Sequence, residues 1–295
     1  MIIEEKIEGK FVGGAFHDIF DERDFKYIDV AKDSKPFDWE KGFDIEEKIG
    51  FKLASKDQGE NYSCGGQAFG YLGAVYEFLM TGTYEERSAK FLYSQCYCSG
   101  GGTRGRDLCT IAIKKGFAKE LFCRSYDAEG KPLSESKMED SSDIIDIAFV
   151  DAAGTVALSY ANVDANIDLI AQAIRDQGGV VIGVTGENGK DWLTAFPKAP
   201  DKRDWGHWLY AGKAKLINGK KYIGVKNSWG DSVGETGWQW IGEDYFDKII
   251  SGTDSGKAVW YGWTLCLKQV GQEQEKSNLL KIIITLLIKL FKPKK

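Results

Sequence analysis

The chain has 295 residues, of which 43% are hydrophobic and 28% charged, and it carries a formal net charge of −5. With only 5 prolines this is a globular composition with ample core material, not a fibrous or disordered one. The acidic balance repels phosphate backbones and argues against a nucleic-acid partner. The start, MIIEEKIEGK, has no apolar segment of the secretory kind, and no apolar run is long enough to span a membrane. The default expectation is a cytoplasmic protein.

Residues 1–36 form a polar, mixed N-terminal extension, with a strand expected near 2–12 and an aperiodic stretch at 16–27 that should lie extended along the body. Residues 37–57 also read as extended chain. From Cys64 the pattern changes: Ala68, Phe69, Leu72, Val75, Tyr76 and Leu79 recur at steps of three and four, which predicts a helix over 63–80, stopped by Thr81-Gly82, with Cys64 at its start. Further helices are expected at 84–97, 106–115 and 163–177, with a polar loop over 127–143. The run Val180–Val184 reads as a buried strand, and strands follow at 207–215, 221–227, 238–241 and 258–267. Helices lead and strands follow, so the fold class is α+β. A polar linker (268–277) leads to a tail (278–295) in which Asn278, Lys281, Thr285, Lys289 and Lys292 share one helical arc. This basic amphipathic helix suits packing on its own fold, an oligomer contact, a membrane surface or a mobile tail.

Cysteine-based acyl transfer needs a thiolate, a base beside it and donors for an oxyanion. Cys64 at a helix N-terminus meets the first need in part, because that end of a helix stabilises an anion. There are only 2 histidines. His17 lies in a charged stretch and is expected at the surface. His207 heads an apolar strand, and Asn227 lies twenty residues further on, in Lys226-Asn227-Ser228-Trp229-Gly230. An Asn carbonyl can accept from one imidazole nitrogen and so set the tautomer, and Trp229 can cover that bond. The side-chain NH2 of Gln58, six residues before Cys64, can join the Cys64 backbone N–H as an oxyanion hole. Cys96, Cys98, Cys109 and Cys123 cluster without zinc spacing; free thiols or one disulfide fit them better than a metal. Gly100 and Gly105 have phosphate-loop spacing, but Arg106-Asp107 follows where Lys-Ser or Lys-Thr is needed. No metal or cofactor is expected.

These residues resemble the papain-like cysteine peptidases, particularly their divergent bacterial and phage-type branch. The resemblance rests on Gln58-Gly59, Ser63-Cys64, Gly206-His207 and Asn227-Ser228-Trp229-Gly230, in the family's order, with His207 about 140 residues after Cys64. Asp38-Trp39, Gly100-Gly101-Gly102 and Gly234-Glu235-Thr236-Gly237-Trp238 are looser echoes. It implies a two-lobe fold over 37–267, with a helical lobe (about 58–125) packed on an antiparallel, barrel-like β lobe (about 150–267) and a cleft between them. It also implies a thiol endopeptidase acting on peptide or protein substrates through Cys64, His207, Asn227 and Gln58, with Gly101, Gly102 and Trp229 on the substrate side. An inactive peptide-binding relative and a cell-wall peptide hydrolase or amidase with the same chemistry are the alternatives. The sequence departs from the family in Asn61, where a disulfide-forming cysteine is usual, and in Gly65, where the family has Trp. The resemblance leaves two roles for residues 1–36: packing as part of the fold, or blocking the cleft until removed.

Overall fold

The structure is a computed structural model that describes residues 13–251 and 255–268. The expected strand at 2–12 and the tail helix at 278–295 lie outside these residues, as does the linker apart from Lys268. The strands are β1 (Ala15–Phe16), β2 (Phe43–Asp44), β3 (Thr103–Arg104), β4 (Tyr160–Asp164), β5 (Val180–Gly186), β6 (Trp205–Ile217), β7 (Lys220–Lys226), β8 (Trp238–Gly242) and β9 (Val259–Leu265). The helices are α1 (Tyr27–Val30), α2 (Ile45–Ile49), α3 (Cys64–Thr81), α4 (Ala89–Tyr93), α5 (Gly105–Lys114), α6 (Glu135–Glu139), α7 (Asp146–Ala153), α8 (Ile167–Gln177) and α9 (Glu243–Asp247).

A seven-stranded sheet, antiparallel in every pairing, runs β4-β9-β5-β6-β7-β8, with β2 on β6. Successive side chains of a strand point to opposite faces. Leu209 and Ala211 of β6, with Val180 and Ile182 of β5, pack on one face with Ile170, Ala171 and Ile174 of α8. Trp208 and Tyr210 of β6, with Val181 of β5 and Trp263 of β9, pack on the other with Phe69, Leu72 and Val75 of α3. With both faces covered, the run Val180–Val184 can be apolar throughout. Each fully buried Phe, Leu or Val of α3 contributes about 2 kcal/mol of transfer free energy. The helical region and the sheet are therefore joined by one apolar seam, and the N-terminus of α3 lies along it.

Several elements differ from the sequence reading. The helix expected at 84–97 shrinks to α4: Arg87 bridges to Lys119 as extended chain, and the Ser88 hydroxyl caps the helix by accepting from the Phe91 amide. The helix expected at 163–177 begins only at Ile167, where Asn166 accepts from two amides of its first turn; Val163 belongs to β4. The loop expected over 127–143 contains α6, and α7 was not anticipated. The short α2 interrupts the expected extended chain at 37–57. His17, expected at the surface, is half-buried, its ring packing on Trp260 with centroids 4.0 Å apart.

Residues 13–36 pack as part of the fold. Asp18 is half-buried, its carboxylate accepting from the Arg106 amide at the start of α5 (3.0 Å), Trp263 Nε1 (2.9 Å) and the Tyr261 hydroxyl (3.1 Å). The Arg106 guanidinium pairs with Asp24 through Nε and Nη2 and donates to the Ile19 carbonyl at 2.7 Å. Removing one partner of a largely buried pair leaves the other uncompensated. Arg106→Leu should therefore cost about 3 kcal/mol in urea unfolding and expose Arg23 to trypsin; a variant that trypsin nicks no faster than wild type would show that this clamp does not hold the segment.

Candidate active site

The candidate residues come from three places in the chain and meet at the seam. Cys64 opens α3, and its N-cap, Ser63, makes no side-chain cap. Instead the Ser63 hydroxyl donates to Asn61 Oδ1, so no side chain from Ser63 occupies the first amides of the helix. His207 lies in β6 and Asn227 directly follows β7, and the antiparallel pairing of these two strands sets Tyr210 opposite Lys226. The lobes join at the sulfur: the backbone N–H groups of Trp208 and Gly65 donate to Cys64 Sγ.

Asn227 is fixed at both ends of its amide. Its Nδ2 donates to Gln239 Oε1 at 2.7 Å, and Gln239 Nε2 donates in turn to the carbonyls of Trp192 and Thr194. Oδ1 therefore faces His207, whose Nε2 lies 2.9 Å away and must be the protonated nitrogen. The other nitrogen, Nδ1, is buried without a hydrogen bond and carries the free lone pair. Trp229 is buried and stacks on the imidazole at 4.5 Å, so it covers this pair and offers no open face. Gln58 is fully buried and held by Ser228, whose hydroxyl donates to its Oε1 at 2.7 Å. One Nε2 hydrogen is used on the Asn61 carbonyl at 2.7 Å, and the second N–H remains.

Gly65 has a local reason. A Cβ there would lie 2.1 Å from Thr103 Oγ1 and 3.1 Å from the Trp208 ring, so the aromatic that covers this part of the seam comes from β6 instead. Gly101 and Gly102 spend their backbone groups locally: Gly101 N–H on Cys98 C=O, Gly102 C=O on Cys98 N–H, and Gly102 N–H on the Tyr93 hydroxyl at 2.7 Å. The strand edge at Thr103 is already paired with β1. All six cysteines are free thiols. Among the described residues no group of three His, Cys, Asp or Glu side chains is placed to hold a metal.

The cleft is filled. Gly14 N–H donates to Gly206 C=O at 3.0 Å, and Gly14 C=O accepts from Thr103 N–H at 2.8 Å, so Gly13–Phe16 bridges the glycine wall and the residue before His207. A Cβ on Gly14 would lie 2.1 Å from the Tyr62 carbonyl, and one on Gly13 2.3 Å from that of Gly206. Cys64 and His207 are both fully buried beneath this closed arrangement. Sequence reasoning missed Gly13-Gly14, Tyr93, Glu135, Ser228 and Gln239; the double glycine was the visible signal, and the others act through long-range contacts.

With this geometry in hand, comparison with solved structures is direct. Xylellain, a cysteine protease from Xylella fastidiosa, superposes with a TM-score of 0.67 at 19% identity, covering 86% of this chain and 95% of that one. The chain has the fold of the papain-like cysteine peptidases. The bromelain protease from Ananas comosus, solved with the E64 inhibitor, superposes at 0.57 and 20% identity, covering 77% and 99%. Digestive procathepsin L 3 of Tenebrio molitor larval midgut gives 0.60 at 18%, covering 90% and 79%. No family model and no curated protein sequence matches the chain. The papain-like fold places a mainly helical region beside an antiparallel sheet, as the sequence motifs implied.

Burial sets the protonation of the closed site. It pushes the Cys64 thiol up to about 12, against the lowering effect of the backbone N–H groups of Trp208, Gly65 and Cys64 itself, while the charge of Glu135 adds to the rise. It holds His207 down to about 4, against the opposing hydrogen bond to Asn227. Thiol and imidazole are thus both neutral. An unfolded His207 titrates near 6.5, so the unfolded chain binds a proton that the folded chain refuses, and stability falls as pH drops from 6.5 towards 4. Compared with His207→Gln in urea unfolding, wild type should lose on the order of 2 kcal/mol across that window; parallel pH profiles would contradict a neutral buried imidazole.

Proposed function

We propose that the chain is a cysteine endopeptidase and that the closed conformation is its latent form. The observation that carries the reading is the line of side chains Gln239–Asn227–His207, which leaves Nδ1 of a neutral imidazole unoccupied beside the strand whose next N–H donates to the Cys64 sulfur. No other chemistry uses that combination so directly.

In this reading His207 Nδ1 removes the Cys64 thiol proton, and the thiolate attacks the substrate carbonyl carbon. The oxyanion is held by the Cys64 N–H at the uncapped start of α3 and by the spare N–H of Gln58. The imidazolium, steadied by Asn227 Oδ1, protonates the departing amine, and a thioester remains. Water, deprotonated by His207, attacks that thioester; the acid leaves and Cys64 regains its proton. Trp229 keeps water from the His207–Asn227 bond throughout. Gly13–Phe16 must leave its place first, because it takes the Gly206 carbonyl and the Thr103 amide that an extended substrate backbone would use.

The test is labelling by E64 together with cleavage of a peptide library. Wild type should form a covalent adduct at Cys64 and turn peptides over, Cys64→Ala should do neither, and Asn227→Ala should lose about 10²-fold in kcat/KM. Equal labelling and equal cleavage by wild type and Cys64→Ala would sink the reading. Latency has its own measurement in the full-length chain. In Gly14→Val the new side chain collides with the Tyr62 carbonyl, so the segment cannot seat. Alkylation of Cys64 by iodoacetamide should then accelerate by about tenfold or more, and an unchanged rate would show that this segment does not guard the thiol.

A further inference from the structure

Glu135 lies at the first position of α6 and reaches both walls of the cleft. Its Oε2 accepts from the backbone N–H of Tyr62, two residues before Cys64, at 2.7 Å. Its Oε1 accepts from the Tyr93 hydroxyl, which itself accepts the Gly102 N–H at 2.7 Å. One carboxylate thus ties the loop that presents the nucleophile to the glycine wall opposite. A Cβ placed on Gly101 would come within 2.6 Å of the Tyr62 ring and 3.1 Å of Glu135 Oε1, so ring and carboxylate face the wall together. The path of a bound chain through the same place is marked by Gly14, which packs on the Tyr62 carbonyl and on Gly102.

Both of these bonds come from neutral donors. Among the described residues no Lys or Arg pairs with Glu135. Desolvation, the Glu135 charge and a hydrogen bond shared with Glu135 all push the Glu139 carboxyl up from its ordinary value. Tyr62 and Tyr97 are each 41% exposed, the Tyr62 ring against Gly101 and the Tyr97 ring stacked on Tyr93 at 5.9 Å. A fixed carboxylate beside partly exposed aromatic rings, paired with no Lys or Arg among the described residues, is a receptor for an ammonium or guanidinium group.

Building on the peptidase reading, we propose that Glu135 is the specificity-determining residue of this cleft and selects substrates that place a Lys or Arg side chain beside the scissile bond. Its charge adds to the upward push that burial puts on the Cys64 thiol. Its two tethers keep it from swinging away into water, so the site holds the cation without ordering a free side chain first. The substrate class that follows is peptides with basic residues next to the cleaved bond, a match also to the acidic balance of the chain.

A purely structural Glu135 would make the same two bonds, so the test reads a ratio that structural damage does not move. Peptides carrying Arg, or its neutral isostere citrulline, at each of the three positions on the acyl side of the cleaved bond would be compared in the full-length Gly14→Val chain, with and without Glu135→Gln. At one position Arg should exceed citrulline in kcat/KM by about tenfold or more. Glu135→Gln should bring that ratio to about one, while citrulline turnover changes by no more than a few fold. Cys64 alkylation by iodoacetamide, a neutral reagent, reports that the site is assembled in both proteins. A ratio near one at every position, or a ratio that survives Glu135→Gln, overturns the proposal. A chain that alkylates at Cys64 yet cleaves no peptide refutes the peptidase reading beneath it, and the two failures are thereby told apart.

Discussion

The arrangement depends on the side-chain amide of Asn227. An amide has one end that donates and one that accepts, and in a buried site the wrong end would set N–H against N–H. Gln239 accepts from Nδ2 and leaves Oδ1 for His207, and the Ser228 N–H adds a second donor to that oxygen at 2.7 Å. Ser228 also positions Gln58 through its hydroxyl, and Trp229 lies over the imidazole. Three consecutive residues after β7 therefore set the His207 imidazole, the Gln58 side chain and the aromatic cover over the imidazole. An unpaired buried polar group costs about 1–3 kcal/mol, so the chain of amides is stable in only one orientation. The imidazole tautomer follows from it.

The sheet and the helix meet where that orientation matters. β6 carries Trp208 and Tyr210 on the face towards α3, and His207, whose side chain alternates with theirs, sits next to the N–H that touches sulfur. Thr103 accepts from Trp208 Nε1 at 3.0 Å, so the glycine wall is pinned to the same strand. A register slip of one residue in β6 would turn Trp208 away from α3 and His207 away from Asn227 together. Packing and chemistry therefore share a single register.

Much of this was legible in the sequence. The three- and four-residue period placed α3 within a residue of its observed ends, because the helix is buried continuously from Cys64 to Tyr76 and Gly82 caps it. The strands after residue 180 were legible for a similar reason: they are buried on both faces, and glycine or turn residues stop them. Cys64, His207, Asn227 and Gln58 were readable as candidates because each lies inside a short motif whose neighbours have visible jobs. What the sequence hid was set by distance along the chain. Glu135 acts on Tyr62 across 73 residues, and Arg106 on Asp24 across 82. No local pattern encodes either contact. α7 escaped notice because Ile147 and Val150 are exposed while Ala148 and Ala152 face inward, so its apolar residues mark no single stripe. The end of β4 was absorbed into a helix because Val163 fits either period, and only the Asn166 cap separates the two elements.

The two glycines that cross the cleft contribute backbone alone. A segment without side chains gains no pocket energy and little shape selectivity, so as a free peptide it would compete poorly. Held at Asp18, it needs neither, because a short tether keeps its local concentration near the millimolar range. In the peptidase proposed above, this segment is a built-in competitor at a dose that dilution cannot change. Any substrate must be weighed against that dose, and its apparent affinity is its intrinsic affinity scaled by the fraction of time the segment is away. Selectivity in the proposed peptidase would have a kinetic threshold as well as a chemical preference: weak partners would not displace the tether, and only those with a strong side-chain anchor would reach the thiol.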